Sequence, residues 1–441
     1  MTASPTLYDH VRGRQVLLAA WRTIRNNARR SGNRESRLAA EKFDENLPAN
    51  IEKIQRRLRR RSYSFAPAIG VAKSKGKGKK GKRAIVVAPV ADRVVQRAIL
   101  DVLYEHCPSA ALKRVLETPT SVGGVPGRGI GHALALIENA EDGGAAFAIR
   151  SDIRNFFPSF PRAAVLSYLR EQISDPEFVD LFARAVTVEL ANRDELGADV
   201  ELFPLGEDGV AQGSPLSVLA GNIVLREFDA LLNGRGVVCV RYIDDFLVLA
   251  PSARSARKAL EAGLGVLAGL NLHAYAPEDG SGKAWAGSIA NGFDFLGYRV
   301  VRGLNPPSQA AREKLLAKLA ADIAVGKKWV RRVIKENLPR TKRVQCYIQT
   351  LTELDSVLRG WAGAFQHCRS IQALAAIDAE IDVQLSEFDR WFGAVVEGRT
   401  ATTYRRAFGI RLLSDSEPTP LPSIGAFETS RGSPAKAIAA A

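Results

Sequence analysis

The chain has 441 residues, enough for two or three structural units, and its hydrophobic fraction of 46% leaves ample material for a core. Lys and Arg outnumber Asp and Glu by 62 to 47, and the formal net charge of +15 favours polyanionic partners such as nucleic acid. No apolar run of transmembrane length and no secretory signal appears, so we expect a cytoplasmic chain that does not enter a membrane. Four scattered cysteines and five histidines argue against a zinc site and a disulfide framework.

The N-terminal part is basic and has a helical pattern. Residues 1–65 place basic and apolar side chains at helical spacing, and thirteen Lys and Arg with no acidic residue lie between Lys53 and Arg83. The Gly- and Lys-rich segment 73–83 predicts a loop, for which a solvated charge run is the alternative. Because this segment leads directly into a strand-like and then a helical stretch, we favour a loop that contacts phosphates.

Residues 66–300 alternate short apolar runs with helical patterns, which is typical of a mixed α/β domain. The clearest predicted strands are 145–153, 237–243 and 246–250, and the clearest helices are 162–173, 214–232 and 252–270. After Pro306 and Pro307, residues 308–395 show helical periodicity and many basic side chains, so we expect an α-helical domain. Residues 396–441 are rich in Ser, Pro, Thr, Gly and Ala, and predict a weakly ordered tail.

Adjacent carboxylates lie between two strand-like runs. Asp244 and Asp245 separate VVCVRY from FLVLA, which places them at the tip of a hairpin, although Asp also serves structurally in turns. Neighbouring like charges repel unless a cation neutralises them. Asp152 ends another predicted strand, and two-metal phosphoryl transfer needs carboxylates from separate strands around ions about 3.5–4 Å apart. Alternation along a strand makes Asp152 and Asp244 the expected bridging ligands, with Asp245 auxiliary.

Four motifs follow one another along the chain: SDIRNFF, QGSPLSVLAGNIVL, RYIDDFLVL and FDFLGYRV. In this order and spacing they resemble the palm motifs of reverse transcriptases, most closely those of the group II intron branch and its bacterial relatives. KRAIVVAPVADRVVQRAIL resembles the fingers motif of that branch, GRGIGHALALI the motif before the first aspartate, and LDSVLRGWAGAFQHC the thumb. The resemblance covers roughly residues 40–390. It implies an α/β (α+β) right-hand polymerase, with fingers and a palm on a small antiparallel sheet, followed by an α-helical thumb.

The resemblance also assigns roles around the acids. It implies metal binding at Asp152, Ile153, Asp244 and Asp245, with two Mg²⁺ ions that Mn²⁺ can replace. The residues that match nucleotide-binding positions are Arg83, Arg93, Phe157, Gln212 and Lys283. Phe157 matches an aromatic gate that excludes a ribose 2′-hydroxyl, with a core phenylalanine as the alternative. Lys283 is a candidate general acid for the leaving pyrophosphate, and for Lys283 and Arg93 a plain surface residue is the alternative.

Further matches concern the path of nucleic acid. Phe295, Leu296, Gly297 and Tyr298 resemble the primer grip, with ordinary core packing as the alternative for the aromatic residues. In the helical domain, the stretch Arg359–Gly360–Trp361 is expected to pack the thumb together. The residues expected to line the groove along the template–primer backbone are Lys327, Lys328, Arg331, Arg332, Arg340, Lys342 and Arg343.

The implied reaction is RNA-directed DNA synthesis, in which a primer 3′-hydroxyl attacks a dNTP. The implied partners are an RNA template, with a dedicated non-coding RNA as one hypothesis, a DNA primer or product, and dNTPs; an oligomer or second protein stays open. No endonuclease module is recognisable, and the Val-Thr-Gly signature of retron enzymes is absent after the FLGY turn, where the sequence is RVVRGLNPP. These departures favour a stand-alone bacterial enzyme, for which antiphage defence is a hypothesis.

Three alternatives stay open. An RNA-directed RNA polymerase shares the palm, although Phe157 and the intron-type motifs speak against it. A maturase-like RNA-binding protein would keep the fold as a scaffold, against which the intact acid set argues. An untemplated or protein-primed nucleotidyl transferase would use the same site; Tyr63, Tyr347 and Tyr404 are candidate acceptors, with ordinary packing as the favoured interpretation of each.

Overall fold

The computed structural model describes residues 5–74, 81–234, 236–280, 282–339 and 344–415. The chain divides into two compact units, Met1–Pro306 and Pro307–Ala441. Each unit has its own cluster of buried apolar side chains. Among the residues described, no helix combines the length and apolar character needed to cross a membrane. The mixture of helices with small antiparallel sheets confirms the predicted fold class.

The first unit opens with four helices that pack with a fifth. They are α1 (Leu7–Val11), α2 (Arg14–Arg30), α3 (Arg34–Glu45), α4 (Leu47–Arg59) and α5 (Val90–Glu105). In α2, Leu17, Trp21, Ile24 and Ala28 recur at three- and four-residue spacing and are buried. Burial of this one stripe leaves the basic side chains of α2 on the opposite, solvated face.

The other helices of this unit surround its central sheet. They are α6 (Ala110–Leu116), α7 (Ile130–Asp142), α8 (Phe156–Ser159), α9 (Arg162–Gln172), α10 (Pro176–Val186), α11 (Arg193–Leu196), α12 (Pro215–Val224), α13 (Arg226–Leu232) and α14 (Ala253–Gly269). The Ser214 hydroxyl caps α12 by accepting from the Leu216 N–H at 3.3 Å, as the Ser-Pro pair predicted. The prediction of one helix over 214–232 was wrong, because the chain leaves helical geometry at Leu225, where φ is −86° and ψ is 9°.

The central sheet is antiparallel and four-stranded. Its strands, in spatial order, are β4 (Val238–Tyr242), β5 (Asp245–Ala250), β3 (Phe147–Asp152) and β6 (Trp285–Ser288). From Phe246 to Ala250 every residue of β5 is buried, since helices cover the sheet and strands flank β5 on both sides. A strand in that position needs a continuous apolar run rather than an alternating one.

Two hairpins complete the first unit. β1 (Ile69–Ser74) pairs with β2 (Lys82–Val87), and β7 (Phe293–Phe295) pairs with β8 (Tyr298–Val300). The connection predicted over 73–83 is shorter than expected, because its first two residues belong to β1 and its last two to β2. Residues 75–80 of that connection lie outside the described ranges.

The second unit is helical, with α15 (Gln309–Glu336), α16 (Tyr347–Ala364), α17 (Ile371–Val396) and α18 (Ala401–Phe408). Its apolar core includes Leu319 and Ile323 of α15 and Phe388 of α17. The prediction of a weakly ordered tail over 396–441 is wrong for its first part, since α18 is helical. The Phe408 ring stacks on Tyr347 with 5.7 Å between centroids, and this aromatic packing holds α18 despite its polar composition.

Candidate active site

The acidic pair lies at the tip of the β4–β5 hairpin, as the sequence pattern predicted. Tyr242 and Asp245 are cross-strand partners, so Ile243 and Asp244 form a two-residue turn. Ile243 has φ of 64°, a left-handed conformation that costs a β-branched residue about 1–3 kcal/mol. Such strain persists only where the surrounding structure imposes it, so the packing around this turn fixes the backbone that carries the two carboxylates.

A buried ion pair stabilises this turn. The fully buried Arg241 side chain of β4 donates to both carboxylate oxygens of Asp229, at 2.7 and 2.5 Å. The same guanidinium donates to the Ile243 carbonyl and to the side-chain oxygen of Asn222, each at 2.9 Å. Because Asn222 lies in α12 and Asp229 in α13, one arginine ties the hairpin tip to both helices. Sequence reasoning missed this pair, although an arginine inside the apolar run VVCVRY was a visible signal.

A close backbone contact also supports the turn. A Cβ atom added at Gly123 would lie 2.7 Å from the Ile243 nitrogen, so only glycine fits there. The contact arises from two backbone hydrogen bonds. The Arg241 backbone N–H donates to the Thr120 carbonyl at 2.9 Å, and the Arg241 carbonyl accepts from the Val122 N–H at 2.9 Å. The neighbouring Gly-Gly pair at 123–124 was the only sequence signal for this contact.

Asp152 joins the acidic pair from the neighbouring strand. It is the last residue of β3 and stands directly opposite Asp245, while the Ile153 N–H donates to the Asp244 carbonyl at 3.1 Å. Asp244 belongs to the turn and has no partner in the ladder between β3 and β5. The assignment of Asp152 and Asp244 as bridging metal ligands, with Asp245 auxiliary, stays a prediction. The Ile153 side chain is apolar and buried, so any ligand role falls to its backbone carbonyl.

Burial and mutual repulsion raise the pKa values of two of these three carboxyl groups. Burial, together with the charges of Asp152 and Asp244, raises the pKa of Asp245 to about 6. Burial and the charge of Asp152 also raise the pKa of Asp244. The Lys283 ammonium lies 2.5 Å from an Asp152 carboxylate oxygen. Burial lowers the pKa of Lys283, but this contact and the nearby carboxylates outweigh it, so the pKa is raised overall.

The three acids have the chemistry of a divalent-cation site. Carboxylate oxygens are ligands that Mg²⁺ prefers, and crowded, desolvated carboxylates gain from a bound cation. In the part of the chain that the structure describes, no three His, Cys, Asp or Glu side chains already stand in a metal-binding arrangement. Asp152 is engaged by Lys283 instead. The acids therefore fit a divalent cation by charge and ligand type, while the number and positions of ions stay predictions.

Two of the predicted triphosphate-binding cations differ in their surroundings. Arg83 is exposed on β2, and its positive charge acts to lower the pKa of Asp244, which indicates that it lies near the acids. Arg93 is half-buried on α5, and burial lowers its pKa. Its Nε is buried and has no hydrogen-bond partner among the described residues. Arg93 is therefore not a plain surface residue, and its binding of a triphosphate stays a prediction.

Gln212 and Phe157 frame the segment before α12. The Gln212 carbonyl accepts from the Val86 N–H at 2.9 Å, which joins this segment to β2. Phe157 is half-buried, and its ring lies 5.6 Å from that of Phe156, which is 2% exposed. Phe156 is therefore core, and Phe157 presents part of its ring to solvent.

The β7–β8 hairpin separates the four predicted primer-grip residues into two kinds. Phe295 and Tyr298 are buried at 2% and 0% exposure, which favours core packing for both rings. Leu296 and Gly297 form the turn, with φ of 50° and 87°. The surface that such a grip presents is thus the backbone of the turn rather than the two aromatic rings.

The basic residues of α15 form a face of the second unit. Lys327 and Arg331, one helical turn apart, both lie 5.4 Å from the Trp391 ring centre. Arg332 pairs with Glu336 at 3.0 Å, and Lys328 is exposed. The predicted groove residues Arg340, Lys342 and Arg343 lie outside the described ranges.

The predicted thumb-packing stretch lies on α16. Arg359 pairs with Asp355 at 2.8 Å and stays exposed, whereas Trp361 packs against Phe365 with 4.4 Å between ring centres. Of this stretch, only Trp361 joins the apolar cluster of the second unit.

An antiparallel sheet brings acids from β3 and from the β4–β5 turn together, with Lys283 in contact with Asp152. This arrangement fits the palm of a template-dependent nucleic-acid polymerase. The family model for reverse transcriptase (RNA-dependent DNA polymerase) matches residues 72–275, a span that contains all three acids. That span, a little under half of the chain, is similar to reverse transcriptases, which are RNA-dependent DNA polymerases.

Two curated proteins are similar in sequence. Protein YkfC of Escherichia coli (strain K12) is 26% identical over 286 residues, which cover 54% of this chain and 68% of YkfC. An uncharacterized 91 kDa protein in the cob intron of Schizosaccharomyces pombe is 25% identical over 228 residues, covering 51% of this chain and 25% of that protein. The chain thus spans about two thirds of one relative and a quarter of the other.

Two solved structures are similar to part of the chain. A chain of a partial Cas6-RT-Cas1–Cas2 complex is 20% identical, with a TM-score of 0.35, over 61% of this chain and 44% of that chain. Apo telomerase from Candida tropicalis, truncated from its C-terminal domain, is 14% identical, with a TM-score of 0.34, over 53% of each chain. Similarities at this level carry no argument about activity or partners.

Proposed function

We propose that the chain copies RNA into DNA by extending a primer 3′-hydroxyl with dNTPs at Asp152, Asp244 and Asp245. The observation that carries this proposal is the convergence of the three carboxylates, with raised pKa values at Asp244 and Asp245. When bound there, two Mg²⁺ ions, or Mn²⁺ in their place, supply activation of the attacking hydroxyl and neutralisation of the triphosphate.

The protein's own side chains supply substrate binding and a proton. Arg83 and Arg93 bind the triphosphate, for which the rigid guanidinium fork is well suited. Lys283 holds a proton on Nζ beside Asp152 and delivers it to the leaving pyrophosphate. The exposed part of the Phe157 ring limits the space for a ribose 2′-hydroxyl, which favours dNTPs.

The proposed partners follow from charge and from the sequence resemblance. Lys327, Lys328 and Arg331 give α15 a cationic face that suits a template–primer backbone, and a structured RNA is the proposed template. The exposed turn at Leu296 and Gly297 suits contact with the primer end. A role in antiphage defence and a second protein or subunit belong to the proposal on the resemblance alone, and a cytoplasmic location belongs to it on the sequence pattern alone.

Protein-primed synthesis is the second candidate, and the three tyrosines differ in their ability to serve it. Tyr63 and Tyr347 are buried, and their hydroxyls donate to Asp92 at 2.7 Å and to Asp389 at 2.9 Å. Tyr404 is 40% exposed. Of the three, only Tyr404 therefore offers an accessible hydroxyl, and a Tyr404→Phe variant tests this route by mass spectrometry for covalently attached nucleotide.

The first experiment measures incorporation of labelled dNTPs on an RNA template with a DNA primer in Mg²⁺. Wild type and Asp244→Asn run side by side, each with and without added nucleic acid. We expect product that requires the template, disappears with the variant and falls sharply when rNTPs replace dNTPs. Chelation of the divalent ion is expected to stop synthesis, and fresh Mg²⁺ or Mn²⁺ to restore it.

The other outcomes separate the competing functions. Product without added nucleic acid, insensitive to nuclease treatment and without templated sequence, would indicate untemplated synthesis. Efficient use of rNTPs would indicate an RNA polymerase. No product from folded, metal-loaded protein would overturn the proposal in favour of an RNA-binding scaffold.

A further inference from the structure

Arg150 lies on the same face of β3 as Asp152, two residues before it along the strand. No motif in the chain singles this residue out, and its side chain is half-buried. Its cross-strand partners are Leu247 of β5 and Trp285 of β6, so it occupies the middle of the sheet rather than an edge. Burying part of a charged side chain costs free energy unless its donors are hydrogen-bonded, so the contacts of Arg150 should explain its position.

The guanidinium of Arg150 joins two segments that are remote in sequence. One Nη donates to the Asp294 carbonyl of β7 at 2.8 Å, and the other donates to the Gly282 carbonyl at 3.0 Å. Gly282 directly precedes Lys283, and Asp294 lies in the hairpin whose turn is Leu296–Gly297. A single side chain thus connects the strand of Asp152 to the candidate general acid and to the candidate primer grip.

We propose that Arg150 is a positioning residue that sets Lys283 and the β7–β8 turn at fixed places relative to Asp152. This inference rests on the proposed polymerase function and deepens it. Arg150 acts through backbone carbonyls and touches no reacting atom. Its role is to fix the positions of the proton donor and of the primer end relative to each other, so that both are aligned for the reaction.

The chemistry of arginine explains why this residue type is required. Its planar fork presents donors in two fixed directions, whereas a lysine ammonium is a single point that satisfies one carbonyl well. Trp285 strengthens the same connection, since its ring stacks on Phe293 of β7 with centroids 5.4 Å apart. The hairpin is therefore held to the sheet by a polar contact from Arg150 of β3 and by an aromatic contact from Trp285 of β6. Only the Arg150 side chain bonds to both the hairpin and Gly282.

A double-mutant cycle on primer extension tests the proposal. The chains compared are wild type, Arg150→Met, Lys283→Ala and the combined variant, with Arg12→Met, which removes the surface ion pair to Asp9, as the control arginine. We expect Arg150→Met to lower kcat about 10²-fold, the typical result of misplacement by about 1 Å, with little change in KM for dNTP. In the Arg150→Met background, Lys283→Ala should lower kcat little further, because the lysine is already misplaced.

Amide hydrogen exchange gives a readout that does not depend on activity. In Arg150→Met, residues 282–287 and 293–300 should exchange faster than in wild type, while Arg12→Met leaves them unchanged. Arg150→Lys should restore one of the two segments more than the other, since one ammonium replaces a two-armed donor. This variant also keeps the charge and serves if Arg150→Met does not fold.

Specific results would overturn the inference. If wild type extends primers and the two substitutions multiply in their effects, Arg150 does not position Lys283. If exchange in both segments stays at the wild-type rate, the contacts are incidental. A wild-type chain without polymerase activity would sink the proposed function, and faster exchange would then still show that Arg150 fixes both segments.

Discussion

The palm sheet and the helical second unit are built in opposite ways. Around the palm acids, charged side chains are inside: Arg241, Asp229 and Asp152 have exposures of 0%, 4% and 8%. In the second unit the described interior is almost entirely apolar, with Ser308 and Thr350 as its buried polar residues. The cations of α15, such as Lys328, face solvent instead.

This difference separates two uses of charge. A buried charge is strong and specific because solvent cannot screen it, but it must be paired and held in place. The electrostatic attraction of an exposed cation is weak, because salt screens it, and a neighbouring cation can make the same contact. Such interactions suit a phosphate backbone, whose charge is uniform along its length. Substitutions in the palm should therefore have large, coupled effects, and substitutions on α15 small, additive ones.

The largest expected effect is at Asp244. Asp244→Asn should lower primer extension about 10³-fold or more, since one carboxylate of the site is lost. The thermal stability of the metal-free protein should stay the same or rise, because a desolvated charge beside Asp152 is removed. Steady-state extension and thermal unfolding in chelator measure the two effects. Activity within tenfold of wild type would mean that Asp244 is not part of the site.

The next largest effect is expected from the buried ion pair between Arg241 and Asp229. Arg241→Met should destabilise the first unit by about 3–5 kcal/mol, because Asp229 is left buried and unpaired. Combining it with Asp229→Leu should recover much of the stability without restoring activity, since the Ile243 carbonyl still lacks its donor. Denaturant unfolding measures the first effect and primer extension the second. Equal destabilisation by the single and double variants would show that the pair is not the cause.

A smaller effect is expected from one methyl group beside the turn. Gly123→Ala should lower the free energy of unfolding by about 1–3 kcal/mol and displace the acids, because the added Cβ would lie 2.7 Å from the Ile243 nitrogen. Gly265→Ala, within α14 and with no atom within 4 Å of its Cβ, should instead stabilise by about 0.5–1 kcal/mol. Thermal unfolding and primer extension of the two variants give a matched comparison. Full activity in Gly123→Ala would show that the turn tolerates displacement.

The smallest effect is expected on the second unit. Lys328→Ala should weaken template–primer binding modestly and reduce the slope of log affinity against log salt by about 1, with stability unchanged. Arg390→Ala on α17, which removes an exposed arginine whose side chain bonds to its own helix at Ser386, is the control. Fluorescence anisotropy over a salt series measures both. An identical slope in wild type and Lys328→Ala would place Lys328 outside the nucleic-acid path.

Sequence patterns were sufficient where the relevant physics is local. A carboxylate after an apolar run located Asp152, and two apolar runs around an acidic pair located the turn at Asp244. Periodicity indicated a mixed α/β domain followed by a helical one, and the polymerase fold class was implied by the resemblance of the motifs to those of reverse transcriptases. The loss of helical geometry at Leu225 and the aromatic packing of Phe408 lay beyond such patterns, because both are decided by packing in three dimensions.

The residues that hold the site together were not predictable, and for one reason. Arg241 with Asp229, Gly123 with Ile243, and the contacts of Arg150 all join positions whose neighbours in sequence give no hint of their partners. Arg241 within an apolar run and the Gly-Gly pair at 123–124 are unusual in the sequence, but their partners are known only once the sheet register is known. The register, which places Asp152 opposite Asp245, was likewise not given by the pattern of the two strands.

The order of strands in the central sheet has a consequence for biosynthesis. β3 pairs with β5 and β6, and both follow it in the chain, β5 only after about 90 further residues. On a ribosome that adds about 5–20 residues per second, β3 therefore waits several seconds with both edges unpaired. A strand in that condition is open to pairing with other chains. Slower synthesis would lengthen this exposure, whereas lower temperature weakens hydrophobic association, so yield should respond more to temperature than to translation rate.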